Sequence, residues 1–376
     1  MAEKFSLKDH LFNAESIGQL AAEYVSGING FNVEAYTRDV LGGFPARELM
    51  ARMEWMADCL TPYLADDFPT MAAQLEAAMA APLDTALSDD DFGHFIHAIP
   101  GVLAVRHGLD GHCDCALDLL EQATQRFSME FYIRAFLNRW PDQTLARLSQ
   151  WADHPNYHVR RLVSEGTRPR LPWAKNIDIS PLVPLPFLNR LHADPTRYVT
   201  RSVSNHMNDL SRVDADLVLK TLGEWRAEGR QNPKELQWMT THSLRTLIKQ
   251  GNSGAMEMLG YDPAAKVQVD VLTITPANPR IGDKVQVDIT LSAAKKTPVL
   301  VDYAIRFKRP SGAEGDKVFK VKQAVILPGK PLTLRKSQTF KADASTYALA
   351  AGAHRLSLMV NGGVRATLDF YLGAQP

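Results

Sequence analysis

The hydrophobic period of this chain changes once, near residue 262, and that change governs what the chain can fold into. Before it, apolar residues recur at spacings of three and four. "SIGQLAAEYVSGI" sets Ile17, Leu20, Ala21 and Tyr24 on one face, and "ARELMARMEWMADCLTPYL" does the same with Leu49, Met53, Met56 and Leu60. Such spacing marks helices with one buried stripe. Gly42-Gly43, Pro62, Pro69, Pro82, Pro100, Pro141 and Pro155 fall between the runs and punctuate them. After "YDPAAK" (261–266) the period is two: "KVQVDVLTIT" alternates Val267, Val269 and Val271 against Gln268 and Asp270. "DKVQVDITLS", "VLVDYAIRFK", "KVFKVKQAVI", "LTLRKSQTF", "HRLSLMVNG" and "VRATLDFYL" follow, parted by Pro-, Gly- and Asp-rich turns.

Two domains are therefore expected, a helical one over 1–262 and an all-β sandwich of immunoglobulin-like type over 266–376. No cysteine lies beyond Cys115, so the sandwich has no disulfide between its sheets. The helical part carries an internal repeat. Pro155, Val159, Arg161, Val163 and Ser164 lie forty positions before Pro195, Val199, Arg201, Val203 and Ser204. "THSLRTLIKQG" (241–251) is a candidate third copy at a slightly longer interval. A period of about 40 residues indicates stacked helix pairs of the HEAT or armadillo kind, a solenoid with a concave face.

The net charge of zero conceals an uneven distribution. Residues 1–125 carry 6 Lys and Arg against 20 Asp and Glu, 126–212 carry 13 against 7, and 266–376 carry 17 against 8. The two basic regions suit a polyanion, although solvated faces account for charge blocks equally well. The first residues hold no apolar core of a secretory signal, and no run of about 18 apolar residues suggests a membrane helix. The three cysteines, Cys59, Cys113 and Cys115, suit a reducing cytoplasm. "HCDC" (112–115) lacks the second ligand pair of a zinc site. "SDDDFG" (88–93) reads as a capping segment with Ser88 or Asp89 as the cap. The glycine-rich phosphate loop, the dinucleotide fingerprint and the serine-hydrolase elbow are all absent.

The stretch "HVRRLVSEGTRPRLPW" (158–173) holds the chemistry. Val159, Leu162, Val163 and Gly166 share one helix face, and Arg161, Glu165 and Arg168 share the opposite one. That polar face is either a surface with intrahelical ion pairs or the lining of a groove. A proline-flanked loop then presents Trp173, for which burial in a core is the competing reading. A second carboxylate, Glu130 in "QRFSMEFYIRAFL", lies near a helix start, where it would also complement the helix dipole. "SNHMNDLS" places Asn205, His206, Asn208 and Asp209 on the repeat of the Glu165 helix, either lining a groove or bonding between repeats.

"LKDHLFN", "DDDFGHFI", "TQRFSMEFYIR", "HVRRLVSEGTRPRLPW" and "RYVTRSVSNHMNDLS" together resemble the AlkC branch of the HEAT-like-repeat DNA alkylation-repair glycosylases, over most of residues 6–262. Some members of that branch are similar beyond the helices as well, with a C-terminal Ig-like domain. The resemblance implies a monofunctional, monomeric, cytoplasmic glycosylase acting on double-stranded DNA without metal or organic cofactor. It would excise N-alkylated cationic bases such as 3-methyladenine, with 3-methylcytosine as a further candidate, and without a base-flipping pocket. It implies catalytic carboxylates at Glu130 and Glu165 and an aromatic contact at Trp173. DNA contacts would fall to Arg161, Arg168 and Arg170, and to Asn205, His206, Asn208 and Asp209. The competing reading is a non-catalytic HEAT/Ig-like scaffold for nucleic acid or protein.

Overall fold

The structure is a computed structural model, described here over residues 6–87, 92–309, 312–342 and 349–375. The proposed cap at Ser88 or Asp89 lies outside the described residues. The chain divides into two compact units, Met1–Asp214 with Glu224–Ser243, and Ala215–Gly223 with Leu244–Pro376. Helix gives way to strand between Met258 and Gln268, close to where the period changes. The second compact unit begins earlier and takes in the last helices.

The helices are α1 (Leu7–Leu11), α2 (Ala14–Val25), α3 (Val33–Gly43), α4 (Leu49–Leu60), α5 (Phe68–Ala77), α6 (Ile99–Leu103), α7 (Cys113–Thr124) and α8 (Ile133–Arg139). They continue with α9 (Pro141–Trp151), α10 (Tyr157–Gly166), α11 (Leu185–Leu191), α12 (Arg197–Leu210), α13 (Ala215–Glu228), α14 (Pro233–Ser243), α15 (Arg245–Lys249) and α16 (Ser253–Met258). The amphipathic stripes fall where the spacing puts them: α2 buries Ile17, Leu20, Ala21 and Tyr24, and α4 buries Met53, Met56 and Leu60. Asn13 caps α2 through a reciprocal bond with Ser16, which satisfies two N-terminal donors.

In the first unit α10, α12 and α14 lie side by side, each packed on the next. The forty-residue repeat is the reason: Val159 and Val163 of α10 and Val199 and Val203 of α12 are all fully buried. The third copy is not the stretch 241–251. That stretch breaks at Leu244, between α14 and α15. The stacked helix is α14, which opens on Pro233 and buries Leu236, Met239, Thr240 and Ser243. Proline at the first helical position starts it cleanly. Gln237, Trp238, Thr241 and His242 interrupt its apolar pattern, which is why the sequence period missed it.

The end of α10 comes so close to α8 that only glycine fits: a Cβ on Gly166 would lie 2.5 Å from Ile133 Cγ2. Gly166→Ala is expected to lower stability by about 1–3 kcal/mol, the scale of core overpacking. A shift in the denaturant midpoint would measure it, and an unchanged midpoint would mean that the two helices can move apart freely.

Among the described residues the second unit holds seven antiparallel strands in two sheets. One has the order β1 (Gln268–Thr275), β2 (Lys284–Ser292), β5 (Leu332–Thr339). The other has the order β4 (Glu314–Ile326), β3 (Thr297–Lys308), β6 (Gly352–Val360), β7 (Gly363–Leu372). Val285, Val287, Ile289 and Leu291 from β2 meet Val301, Tyr303, Ile305 and Phe307 from β3 in the core. The expected alternation fails in β3, where Val299 to Tyr303 are all buried, and in β1. A bulge between Val269 and Val271 switches the face of β1, so Val271 is exposed and Ile274 is buried. In the β6–β7 turn, Asn361 adopts φ 52° and is fully buried. Its Oδ1 accepts from Leu300 N at 2.8 Å, and its Nδ2 donates to Asp262 O at 2.9 Å and Pro298 O at 3.2 Å. Among the described residues no helix is long and apolar enough to cross a membrane.

Candidate active site

Asn156 caps α10 by accepting from His158 N at 2.8 Å, and α12 packs along the helix. The residues between these two packed helices and the turn before α8 form one chain of charges. Arg161 joins its two glutamates. Its Nη1 donates to Glu130 Oε2 at 2.6 Å and to Ser128 Oγ at 2.7 Å, and its Nη2 lies 3.8 Å from Glu165 Oε2. Ser128 Oγ also donates to Glu130 in a short bond. The Arg161 guanidinium stands 4.6 Å from the centroid of the Tyr198 ring. Glu165 receives Arg168 Nη1 at 2.6 Å and Ser202 Oγ at 2.6 Å. Arg168 Nε continues to Asp209 Oδ2 at 2.9 Å.

The order Glu130–Arg161–Glu165–Arg168–Asp209 is thus continuous and largely shielded from water. Glu165 is 4 % exposed. Burial alone would raise its carboxyl pKa. The charges of Arg161 and Arg168 and the bonds from Ser202 and Arg168 outweigh that and hold it below the usual carboxylate range. Burial would likewise ease the proton off Arg161, but Glu130, Tyr198 and Glu165 reverse the effect and raise its pKa. Of the intrahelical pairs expected for a surface helix, Arg161–Glu165 lies within α10, whereas Arg168 falls in the loop just after the helix ends at Gly166 and reaches back to Glu165; both pairs are buried. A buried pair depends on good geometry and further hydrogen bonds to offset desolvation, and Ser128 and Ser202 supply those bonds here.

The other candidates fall in different places. Glu130 lies in the turn before α8 rather than in its first helical turn, and its carboxylate bonds Arg161. Arg160, the remaining arginine of the stretch, is fixed on Asp194 at 2.6 Å. Arg170 is exposed. Trp173 is 72 % exposed, not a core residue, and adopts φ 65°. It lines a surface hollow with Leu7, Lys8, Glu48, Leu49 and Met50. His206 is fully buried; burial drives its imidazole pKa down to about 3, and Nδ1 bonds Ser164 O at 3.0 Å. His242 Nε2 donates to Asn205 Oδ1 at 2.9 Å, and its ring stacks on Trp238. Asn208 and Asp209 are buried. The polar residues of α12 therefore bond between repeats: His206 and Asp209 toward α10 and the loop after it, Asn205 toward α14.

Sequence reading missed Ser128, Ser202 and Tyr198. Ser202 lies three residues before Asn205, on a face that only the packing of α12 against α10 reveals. Cys113 and Cys115 are free thiols on α7. Among the described residues no three His, Cys, Asp or Glu side chains converge as metal ligands.

The family described as "Uncharacterised protein YhaZ, C-terminal Ig-like domain" matches residues 268–374. The chain is 32% identical to the "Uncharacterized protein YhaZ" of Bacillus subtilis (strain 168), over 96% of this chain and 98% of that one. It also superposes with a TM-score of 0.85 on "Pseudomonas fluorescens alkylpurine DNA glycosylase AlkC bound to DNA containing an abasic site analog", at 29% identity, covering 98% of this chain and 99% of that one. Matched over nearly its full length to both, the chain belongs to the AlkC-like family with a C-terminal Ig-like domain, together with YhaZ.

Proposed function

We propose that this chain is a DNA glycosylase that removes N-alkylated, cationic bases from double-stranded DNA. The observation that carries the reading is Glu165, a carboxylate kept ionised and fixed by Arg161, Arg168 and Ser202. It stands in a fold matched over nearly its whole length to AlkC, a protein solved on DNA with an abasic-site analogue. N-alkylation makes the base a cation with a weakened glycosidic bond, and the base departs neutral, so no general acid is required. The remaining task is to stabilise positive charge developing on the sugar and to orient water. Immobile carboxylates do this best, because they need no reorganisation as the charge forms.

In this reading Glu165 and Glu130 face the developing cation, with Arg161 holding both. Trp173 contacts the damaged nucleotide through its ring face. Arg170, exposed on the same loop, binds a phosphate. The chain works as a monomer in the cytoplasm, and 3-methyladenine is the first lesion to try. The test is incubation of the full chain with methylated duplex DNA, followed by assay for free base and alkali-labile sites. Release of methylated base is expected. Tight binding with no release would replace the enzyme with a non-catalytic scaffold.

A further inference from the structure

We propose that Arg134 is a positioning residue: it holds the loop that carries Arg168, Arg170 and Trp173 in its working shape. This rests on the reading of that loop as part of the active site. Arg134 belongs to α8 and is 1 % exposed. Its Nε donates to Lys175 O at 2.5 Å, and its Nη1 donates to Gly166 O at 3.1 Å and Arg168 O at 2.8 Å. One planar fork thus fixes the end of α10 and both sides of the loop, through backbone carbonyls alone. A turn along α8, Asn138 Nδ2 donates to Asn176 O at 2.9 Å and Oδ1 accepts from Asp178 N at 2.9 Å.

Gly166 O is one of the carbonyls that the last turn of a helix leaves without a partner, and Arg134 supplies the donor. Burial and the nearby charge of Arg168 push the Arg134 pKa down to about 10, so it stays charged at neutral pH. Between the gripped points, Trp173 has φ 65°. A bulky residue persists in that left-handed region only where its surroundings impose it. Pro169 and Pro172 limit the loop further but donate no hydrogen bond. Lysine cannot replace this arginine, because one ammonium on a flexible stem does not span three carbonyls in fixed directions.

The full-length Arg134→Lys variant tests this in two ways. Hydrogen exchange without DNA should show the amides of 167–178 exchanging at least about tenfold faster while α12 keeps its protection. Single-turnover base release should fall, and combined with Trp173→Ala it should fall by less than the product of the two single losses, because both act through one loop. Unchanged loop exchange, a uniform rise across the whole protein, or fully multiplicative losses would each overturn the proposal. If Arg134→Lys does not fold, Asn138→Ala, at the exposed end of the same grip, should loosen 175–178 selectively, and no local change there would count against it. If the wild-type protein releases no base, the glycosylase reading fails while the exchange experiment still decides the role of Arg134.

Discussion

Glu165→Gln is expected to give a folded protein whose release of methylated base is slower by about 10²–10³, the scale for one preorganised electrostatic group. The change keeps size and shape: the remaining oxygen can still accept from Arg168, and Ser202 can turn its hydroxyl to accept from the new amide NH2 instead of donating. What disappears is the charge. Removing one member of a buried ion pair costs about 3–5 kcal/mol when nothing replaces it. Rates must therefore be compared well below the melting temperature of the variant, where lost activity is not lost fold. A pH series separates the two effects. The Glu165 carboxyl sits below its ordinary value of 4.5 in the folded protein, so its stabilisation is full above that value and is lost as the pH falls through the folded pKa. The variant should show a flatter acid limb than the wild type. Near wild-type single-turnover rates would remove Glu165 from the catalytic role.

Arg161 and Arg170 should fail in different ways. Arg161 is spent on Glu130 and Glu165 and lies away from water. Arg161→Ala leaves two carboxylates without the cation they share, so the Glu165 pKa should rise and activity should fall at least as far as in Glu165→Gln. The salt dependence of DNA binding should barely change. Arg170, exposed and with no ion pair among the described residues, should behave in the opposite way. Arg170→Ala should lower the slope of log K against log salt by about 1, the signature of one lost phosphate contact, with little loss of stability. If Arg161→Ala lowers that slope as much as Arg170→Ala does, Arg161 reaches the backbone of DNA after all.

The sequence disclosed the architecture through periods and hid the site through distances. The change from 3.6 to 2 near residue 262 is a local signal, and so are the apolar stripes of α2 and α4. The bulge in β1 is not, because nothing in "VQVDVLTIT" marks the residue at which the strand turns over. Glu130 and Glu165 were legible as candidates, yet their sharing of Arg161 was not. The 31 positions separating Glu130 from Arg161 are closed only by packing, and the 37 separating Glu165 from Ser202 only by the stacking of one repeat on the next. For Asn205, His206 and Asp209 the sequence left groove lining and bonding between repeats both open, because polarity alone does not name the neighbours that His242, Ser164 and Arg168 turn out to be. Arg134 gave no sign at all, since a buried arginine satisfied by carbonyls has no partner of opposite charge to look for.

Asn361 bears on what counts as a movable part. By likeness, the Ig-like portion is residues 268–374. By hydrogen bonding it reaches further back, because the Asn361 amide spends one of its two donors on Asp262 O and the other on Pro298 O. Arg365 adds a bond to Pro263 O at 2.7 Å. Excised at the start of its first strand, the sandwich would carry a buried amide stripped of one partner and a guanidinium stripped of another. A boundary that keeps these bonds falls before Asp262, so any transplant of the sandwich should carry the residues just before its first strand along with it.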